Sequence, residues 1–199
     1  MHKNLNTMDK EIELKIEKVF ESQTKPGVYG ILLEEMGETK RQLPLVIGEK
    51  EAHAIHCALN NIVTTRPLTH DLMIACLDFA EVEILKALIY KMDVGIYYSY
   101  IYIKAKNEYT RIDPRTSDAI ALAIRAEAPI YILESILQRE CVEEMTKNDN
   151  STSLFEQAEA EIEIRQKEKD LLQKKLEQAI DKEDYELASV LRDRIAEIE

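Results

Sequence analysis

The sequence predicts an α+β protein in which a duplicated strand-strand-strand-helix unit forms a mixed or barrel-like sheet with packed helices, followed by an α-helical hairpin. Three observations support this prediction. The stretches EKEAHAIHCALNN and PRTSDAIALAIRAE share a similar pattern, and three strand-like segments precede each of them. In addition, residues 154–199 contain no Gly or Pro and place apolar residues near heptad spacing.

The first unit consists of three predicted strands and a helix. EIELKIEKVF alternates apolar and charged residues, KPGVYGILLEE places a turn at Pro26-Gly27 before a strand, and RQLPLVIG gives the third strand. Pro44 has no N–H for a β-ladder, which predicts an edge position or a strand start. The helix that follows has apolar residues at helical spacing, namely Ala54, Ile55, Ala58 and Leu59.

The second unit repeats this order. AEVEILKALIYKM, VGIYYSYIYIKA and EYTRID predict strands, and PRTSDAIALAIRAE predicts a helix. Aligning Ile47 with Ile112, an offset of 65, pairs Lys50 with Arg115. We infer an internal duplication whose two helices pack together, because neither unit can bury its apolar stripe alone. The alternative is two unrelated amphipathic helices.

A predicted helix connects the units. In TTRPLTHDLMIACLDFA, Pro67 interrupts the chain and Thr69 is a candidate N-cap. The expected apolar stripe of this helix is Leu72, Met73, Cys76 and Leu77. After the second unit, APIYILESIL predicts a last strand that leads into a short helix.

The polar segment TKNDNSTS marks the predicted domain boundary. We expect a domain over residues 9–146, a linker over 147–153 and a helical tail over 154–199. In the tail, a first helix from Leu154 to about Asp181 is interrupted by DKEDYE and followed by a second helix.

Composition limits the function classes. The net charge of −12 argues against a broad nucleic-acid-coating surface, although it allows a local basic groove. No apolar run is long enough to span a bilayer, the N-terminal residues have no signal-peptide core, and the three cysteines share no CxxC spacing. We therefore expect a cytoplasmic protein without membrane contact. An exposed sheet edge and a hairpin both favour a homo-oligomer.

Three segments resemble the bifunctional nuclease (BFN) family domain. They are LPLVIGEKEAHAI (43–55), RPLTHDL (66–72) and RTSDAIALAIRAEAPIYI (115–132), and the resemblance covers roughly residues 10–145. One departure is Thr116, which stands where the family pattern usually has Pro between Arg and Ser-Asp. The resemblance implies nuclease activity on RNA and DNA, as reported for some members, and so a bacterial-type nuclease of low substrate specificity.

The tail resembles a second family. LLQKKLEQAIDKEDYELASVLRDRIAEIE (171–199) is similar to the UVR motif, the helical hairpin shared by UvrB and UvrC of excision repair and by some protease-associated proteins. This resemblance implies a protein-docking hairpin. Its expected contact residues are Tyr185 at the turn and the apolar face of Leu187, Leu191 and Ile195.

Phosphodiester hydrolysis requires an activated water, stabilisation of charge on the phosphoryl oxygens and a proton for the leaving group. The candidate catalytic residues are Glu51, Asp71 and Asp118 as metal ligands or general bases, and His70 as acid/base. The candidate substrate-binding residues are Arg66 and Arg115, as phosphate binders, and Ser117, near a helix N-terminus that favours anions. The expected cofactor is a divalent cation such as Mg²⁺ or Mn²⁺, and the sequence does not assign its full set of ligands.

Each candidate has a structural alternative. Asp113 could be the N-cap with Pro114 as first helical residue, and Arg115 could simply pair with Asp118. His53 and His56 share a helix face, but surface histidines explain this spacing more often than a metal. Tyrosines spaced as in IYYSYIYIKA more often reflect strand propensity and packing than a surface on which bases stack.

The functional alternative is a non-catalytic regulatory or adaptor protein linked to DNA repair or proteolysis complexes. The acidic net charge and the lack of a standard nuclease motif favour this alternative.

Overall fold

The structure is a computed structural model that describes residues 9–22, 26–141, 151–181 and 184–198. The elements, in chain order, are β1 (Glu11–Glu21), β2 (Val28–Glu35), β3 (Gln42–Gly48), α1 (Glu49–Leu59), α2 (Thr69–Phe79), β4 (Val82–Asp93), β5 (Ile96–Ala105), β6 (Glu108–Ile112), α3 (Thr116–Arg125), β7 (Ile130–Leu133), α4 (Glu134–Glu140), α5 (Ser151–Asp181) and α6 (Tyr185–Ile198).

The sheet reflects the repeated sequence pattern. Its strand order is β3-β2-β1-β7-β4-β5-β6, so β1–β3 and β4–β6 are two antiparallel meanders on either side of β7. β7 runs antiparallel to β1 and parallel to β4, which makes the sheet mixed. The predicted α+β fold with a mixed sheet is therefore confirmed, and Pro44 lies on the edge strand β3 as expected.

The helices of the two units end in the same way. Asn61 and Glu127 both adopt positive φ, and Ile62 and Ala128 donate their N–H groups to Cys57 and Ala123 respectively. Such paired bonds close the C-terminus of a helix. These equivalent positions are 66 residues apart, one more than in the sequence alignment.

The starts of the two helices differ. α1 begins at Glu49, directly after β3, whereas α3 begins at Thr116 with Arg115 as N-cap. The interpretation of Asp113 as N-cap and Pro114 as first helical residue is therefore wrong. Arg115 forms a β-bridge with Tyr98, and this bridge keeps the chain extended until Thr116.

Helices α1, α2 and α3 cover one face of the sheet, with α3 packed against α1, α2 and strands β4 and β5. Small residues on α3 allow this close packing. The fully buried large side chains lie in both repeats and in the β7–α4 segment that follows them. These are Ile31, Leu33, Leu43, Ile55, Ile89, Ile120, Ile132 and Leu137.

Two predicted apolar stripes need correction. In α1, Ala54 and Ile55 are buried as expected, but Cys57 is buried while Leu59 is exposed. The buried face of α1 therefore includes Ala52 and Cys57 and ends before Leu59.

In α2, Leu77 packs against the core as expected, but its companion is Ile74, while Leu72, Met73 and Cys76 are exposed. The N-cap is Leu68 rather than Thr69, because the Asp71 carboxylate accepts the Leu68 N–H at 2.7 Å.

The tail forms the predicted helical hairpin of α5 and α6. Asp184 begins α6 by accepting the Leu187 N–H on its side chain, which gives the aspartate of the EDYE turn a capping role. The Lys169 ammonium binds the Asp93 carboxylate at 2.8 Å, and this half-buried pair joins α5 to the β4–β5 turn.

The predicted linker 147–153 lies mainly outside the described residues, and its last three residues are the first of α5. Of the tail's apolar residues near heptad spacing, the side chains of Leu154, Ala158 and Ile162 also lie outside the described residues. Within the described residues, no helix combines the length and apolar character that a transmembrane span requires.

Candidate functional site

A cleft of about 910 Å³ lies between helices α1, α2 and α3 and the strands β4–β6. Its inner wall is aliphatic and includes Ala54, Ile84, Ile101 and Leu122, all of them buried. Its polar lining residues are Glu49, Lys50, Glu51, His53, Thr69, His70, Arg115 and Asp118. The cleft therefore combines an apolar interior with a charged rim.

Arg115 is the central charged residue of the rim. Its guanidinium donates to both oxygens of Asp118, at 2.9 and 3.1 Å, and its Nη1 donates to Glu51 at 2.9 Å. The side chain is nevertheless 68% exposed. The hydrogen bonds to Asp118 are the largest influence that raises the pKa of Arg115, so it stays charged. An exposed arginine held by two carboxylates can exchange one of them for another anion at low cost.

His70 lies beside the same carboxylate. Its Nε2 is 3.1 Å from Asp118 Oδ1, and both side chains are half-buried. Burial favours the neutral form of Asp118, but hydrogen bonds from Arg115 and His70 outweigh burial and lower the pKa of Asp118. Because an ionised carboxylate only accepts, His70 Nε2–H is the donor, which leaves Nδ1 as the proton acceptor of a neutral imidazole.

Glu51 reaches the cleft from the first turn of α1. Its Oε2 would lie 2.6 Å from a Cβ atom built on Gly48, so the glycine at the strand–helix junction leaves room for this carboxylate. Glu51 thus meets Arg115 across the interface between the two repeats, at a sequence separation of 64 residues.

Asp71 does not join this group, although it follows His70 directly. Its Oδ1 accepts from Arg125 Nε at 2.6 Å, and the Arg125 side chain is only 9% exposed. Arg125 also donates to the carbonyl oxygens of Ala121 and Ala54. Asp71 is therefore part of a connection between α1, α2 and α3 rather than a lining residue of the cleft.

Two further candidates also lie elsewhere. Arg66 is exposed in the loop before α2 and is not a lining residue of the cleft. Ser117 lines a neighbouring pocket on the other side of Arg115, together with Tyr97 and Tyr98. The structure therefore brings together four of the seven candidates, namely Glu51, His70, Arg115 and Asp118.

Sequence reasoning gave too little weight to Lys50 and His53. Both line the cleft from α1, opposite His70 on α2. The repeat alignment contained the signal, because it pairs Lys50 with Arg115 and His53 with Asp118. His53 Nε2 is also 3.7 Å from the Cys57 thiol, one turn further along the helix.

The residues of the cleft do not fit a divalent cation in this arrangement. Arg115 donates to both Glu51 and Asp118, so its guanidinium occupies the position between the carboxylates that a cation would need. Among the described residues, no group of three His, Cys, Asp or Glu side chains is placed to hold a metal ion.

The predicted docking face of the hairpin divides into two sets. Leu191 and Ile195 are 9% exposed and lie in the contact of α6 with α5, as does Ala179. Tyr185, Leu187 and Val190 are exposed, at 69%, 47% and 64%. Leu191 and Ile195 therefore form part of the hairpin's own core, and the exposed apolar residues are Tyr185, Leu187 and Val190.

Comparison with known proteins agrees with this organisation. The model of the bifunctional nuclease domain matches residues 31–145, and that of the UvrB/UvrC motif matches residues 166–199. Two proteins of Mycobacterium tuberculosis, the uncharacterized proteins MT1877 of strain CDC 1551 and Rv1829 of strain H37Rv, are each 32% identical over 123 residues. The aligned region covers 60% of this chain and 69% of each relative. The chain therefore belongs to the bifunctional nuclease domain family and carries a UvrB/UvrC motif at its C-terminal end.

Proposed function

We propose that the chain hydrolyses phosphodiester bonds of RNA and DNA in the cleft between α1, α2 and α3, and that its hairpin binds a protein partner. The observation that carries the catalytic part is the His70–Asp118 pair directly beside an exposed Arg115. This arrangement offers an oriented base, an ionised carboxylate and a cation for phosphate within one cleft.

In this mechanism His70 activates the nucleophile. Asp118 holds the Nε2–H, and Nδ1 takes a proton from a water whose oxygen attacks phosphorus. The phosphorus–oxygen bond to the leaving nucleoside breaks, and that oxygen needs a proton. His53, on the opposite wall of the cleft, is the candidate acid for this second transfer.

Arg115 supplies charge stabilisation. Its exposed guanidinium exchanges the Glu51 carboxylate for a phosphoryl oxygen and keeps its bidentate bond to Asp118. Glu51 is thus a competitor of the substrate rather than a base. No step in this scheme uses a metal ion, because Arg115 takes the place between the two carboxylates.

The test uses purified full-length chain with labelled single-stranded RNA and DNA, in Mg²⁺, in Mn²⁺ and in chelator. We expect cleavage that persists in chelator and is lost in an Asp118→Asn, His70→Ala double variant purified identically. Equal cleavage by both proteins would identify a contaminant. Cleavage that chelator abolishes would contradict the metal-free scheme but not the nuclease.

The second candidate function is a non-catalytic adaptor for repair or proteolysis complexes. The net charge of −12 favours it, as does the excess of carboxylates over cations at the cleft rim. Either function uses the hairpin, whose exposed Leu187 and Val190 lie three residues apart on α6.

The docking role is tested separately from catalysis. We expect a Leu187→Asp, Val190→Asp variant to keep its helical content and to lose association, whether with a second copy or with another protein. Sedimentation of the full-length chain and the variant measures the first case, and a variant that sediments like the wild type excludes self-association through this face.

A further inference from the structure

The apolar interior of the cleft is not explained by phosphodiester chemistry alone. The buried side chains of Ile84, Ile101 and Leu122 form its inner wall. Leu68 at the N-cap of α2, Met73 and Leu77 of α2, and Ile103 and Ile112 of the sheet also line the cleft. Such a surface does not bind a phosphate backbone, because burying charged oxygens against aliphatic groups costs free energy.

The polar groups lie at the rim of the cleft, around its aliphatic interior. Glu49, Lys50, His53 and Arg115 are exposed, and Glu51, His70 and Asp118 are half-buried. A ligand that fills the cleft therefore has a polar end at the rim, where an anionic group can replace Glu51 on Arg115, and a flat or apolar end against the aliphatic wall. The volume of about 910 Å³ lies within the range of pockets that enclose a small organic group.

Resting on the function proposed above, we infer that the cleft receives one unpaired nucleotide of a single strand, with its base against the aliphatic wall and its phosphate at Arg115. A regular duplex cannot supply this ligand, because its bases are stacked and paired and only its backbone reaches the rim. Single-stranded nucleic acid is therefore the substrate class.

The same wall predicts indifference to base identity. Reading a base requires hydrogen-bond donors or acceptors at its edge, and a hydrophobic surface discriminates weakly between similar groups. The lining residues that extend inward from the rim, Ile84, Ile101, Ile103 and Leu122, offer no polar side-chain atoms. We therefore expect the cleft to accept each of the four bases.

The test measures base insertion without cleavage. A His70→Ala variant of the full-length chain is titrated into a short single-stranded DNA that contains one 2-aminopurine, and into the same strand in a duplex. A base removed from its neighbours and placed against aliphatic groups gains fluorescence. We expect this gain with the single strand and about tenfold weaker binding of the duplex.

Two substitutions on α2 supply a matched control in the same background. Met73→Glu adds a carboxylate to the cleft lining, whereas Leu72→Glu adds one at the neighbouring exposed position outside it. We expect Met73→Glu to weaken binding of the single strand about tenfold and Leu72→Glu to change it by no more than about twofold, since surface substitutions away from a site have small effects.

Several results would overturn the inference. The duplex could bind as tightly as the single strand, the single strand could fail to bind, or it could bind without a gain of fluorescence. Equal effects of Met73→Glu and Leu72→Glu would also contradict it. Cleavage of duplex by the wild type at the same rate as single strand would reject the inference and leave the nuclease in place. Base insertion without any cleavage would reject the nuclease and leave the binding site.

Discussion

Two aspartate–arginine pairs involve α3, and they differ in their surroundings. Arg115 and Asp118 lie at the start of α3, and the arginine is 68% exposed. Arg125 lies at the end of α3, pairs with Asp71 of α2 and is 9% exposed. The other partner of the Arg115 guanidinium is the Glu51 side chain, whereas those of Arg125 are the backbone carbonyls of Ala54 and Ala121.

The difference shows how burial separates a binding residue from a structural one. A guanidinium that is exposed can exchange partners, because water compensates the bond that it gives up. A guanidinium that is buried cannot, because every group it leaves would remain unsatisfied. Arg115 is therefore suited to bind a ligand, and Arg125 fixes the helices that position His70.

The largest expected effect is on catalysis at the exposed pair. Arg115→Gln removes the charge that faces phosphate, and we expect kcat/KM for single-stranded RNA to fall about 10²–10³-fold, as for other lost transition-state donors. Arg125→Gln, assayed where it is still folded, should lose less. Equal losses in the two variants would mean that the exposed arginine has no special role in the reaction.

The second effect is on stability, where we expect Arg125→Gln to have the larger effect and Arg115→Gln the smaller one. Arg125→Gln leaves Asp71 Oδ1 and two carbonyl oxygens without the guanidinium donor, and we expect the free energy of unfolding to fall by about 2–4 kcal/mol. This range is below that of a fully buried pair because Asp71 is 38% exposed.

The control for that measurement is Arg115→Gln. Its pair is exposed on the arginine side, so the free energy of unfolding should fall by less than about 1 kcal/mol. Urea titrations of the three proteins give both numbers. A loss at Arg115 that matches the loss at Arg125 would remove the distinction between the pairs.

The third prediction concerns pH. The Arg125 guanidinium holds the pKa of Asp71 below its ordinary value of 3.8, despite the opposing effect of burial. A carboxyl with a lowered folded-state pKa stabilises the fold above its unfolded pKa, and this stability is lost as pH falls below it. The free energy of unfolding should therefore decrease below pH 3.8, and this decrease should be shallower in Arg125→Gln.

A second carboxyl provides an internal reference for this experiment. Arg41 lowers the pKa of Glu35 to about 2, and this pair is distant in sequence from both substitutions. Its contribution to acid sensitivity should be the same in wild type and variant. A pH dependence that is identical in the two proteins would show that Asp71 does not contribute.

The smallest expected effect sharpens the role of Glu51. Glu51→Gln releases one charged partner of Arg115, and we expect single-stranded DNA to bind a few-fold more tightly, in line with about 0.2–1 kcal/mol for an exposed ion pair. Anisotropy of a labelled strand measures this change. Weaker binding or abolished cleavage would instead assign Glu51 a direct role in the site.

The sequence by itself determined the elements and their repetition. Alternating apolar residues predicted the strands, Pro44 predicted an edge, and the offset of 65 predicted two equivalent units. The strands and the edge position are local features, because the side-chain period and the lack of an N–H act on neighbouring residues only. The repeat is visible because the same local patterns recur in the same order. The EDYE turn belongs to the same class, since Asp184 caps the helix that it begins.

Only the tertiary structure decided which charged residues share a site. His70 and Asp71 are adjacent in sequence and point to different partners, because successive helical residues lie about 100° apart. Glu51 and Asp118 meet Arg115 only because α1 and α3 pack side by side. Burial then separated Arg115 from Arg125, and burial depends on the surrounding elements rather than on residue type.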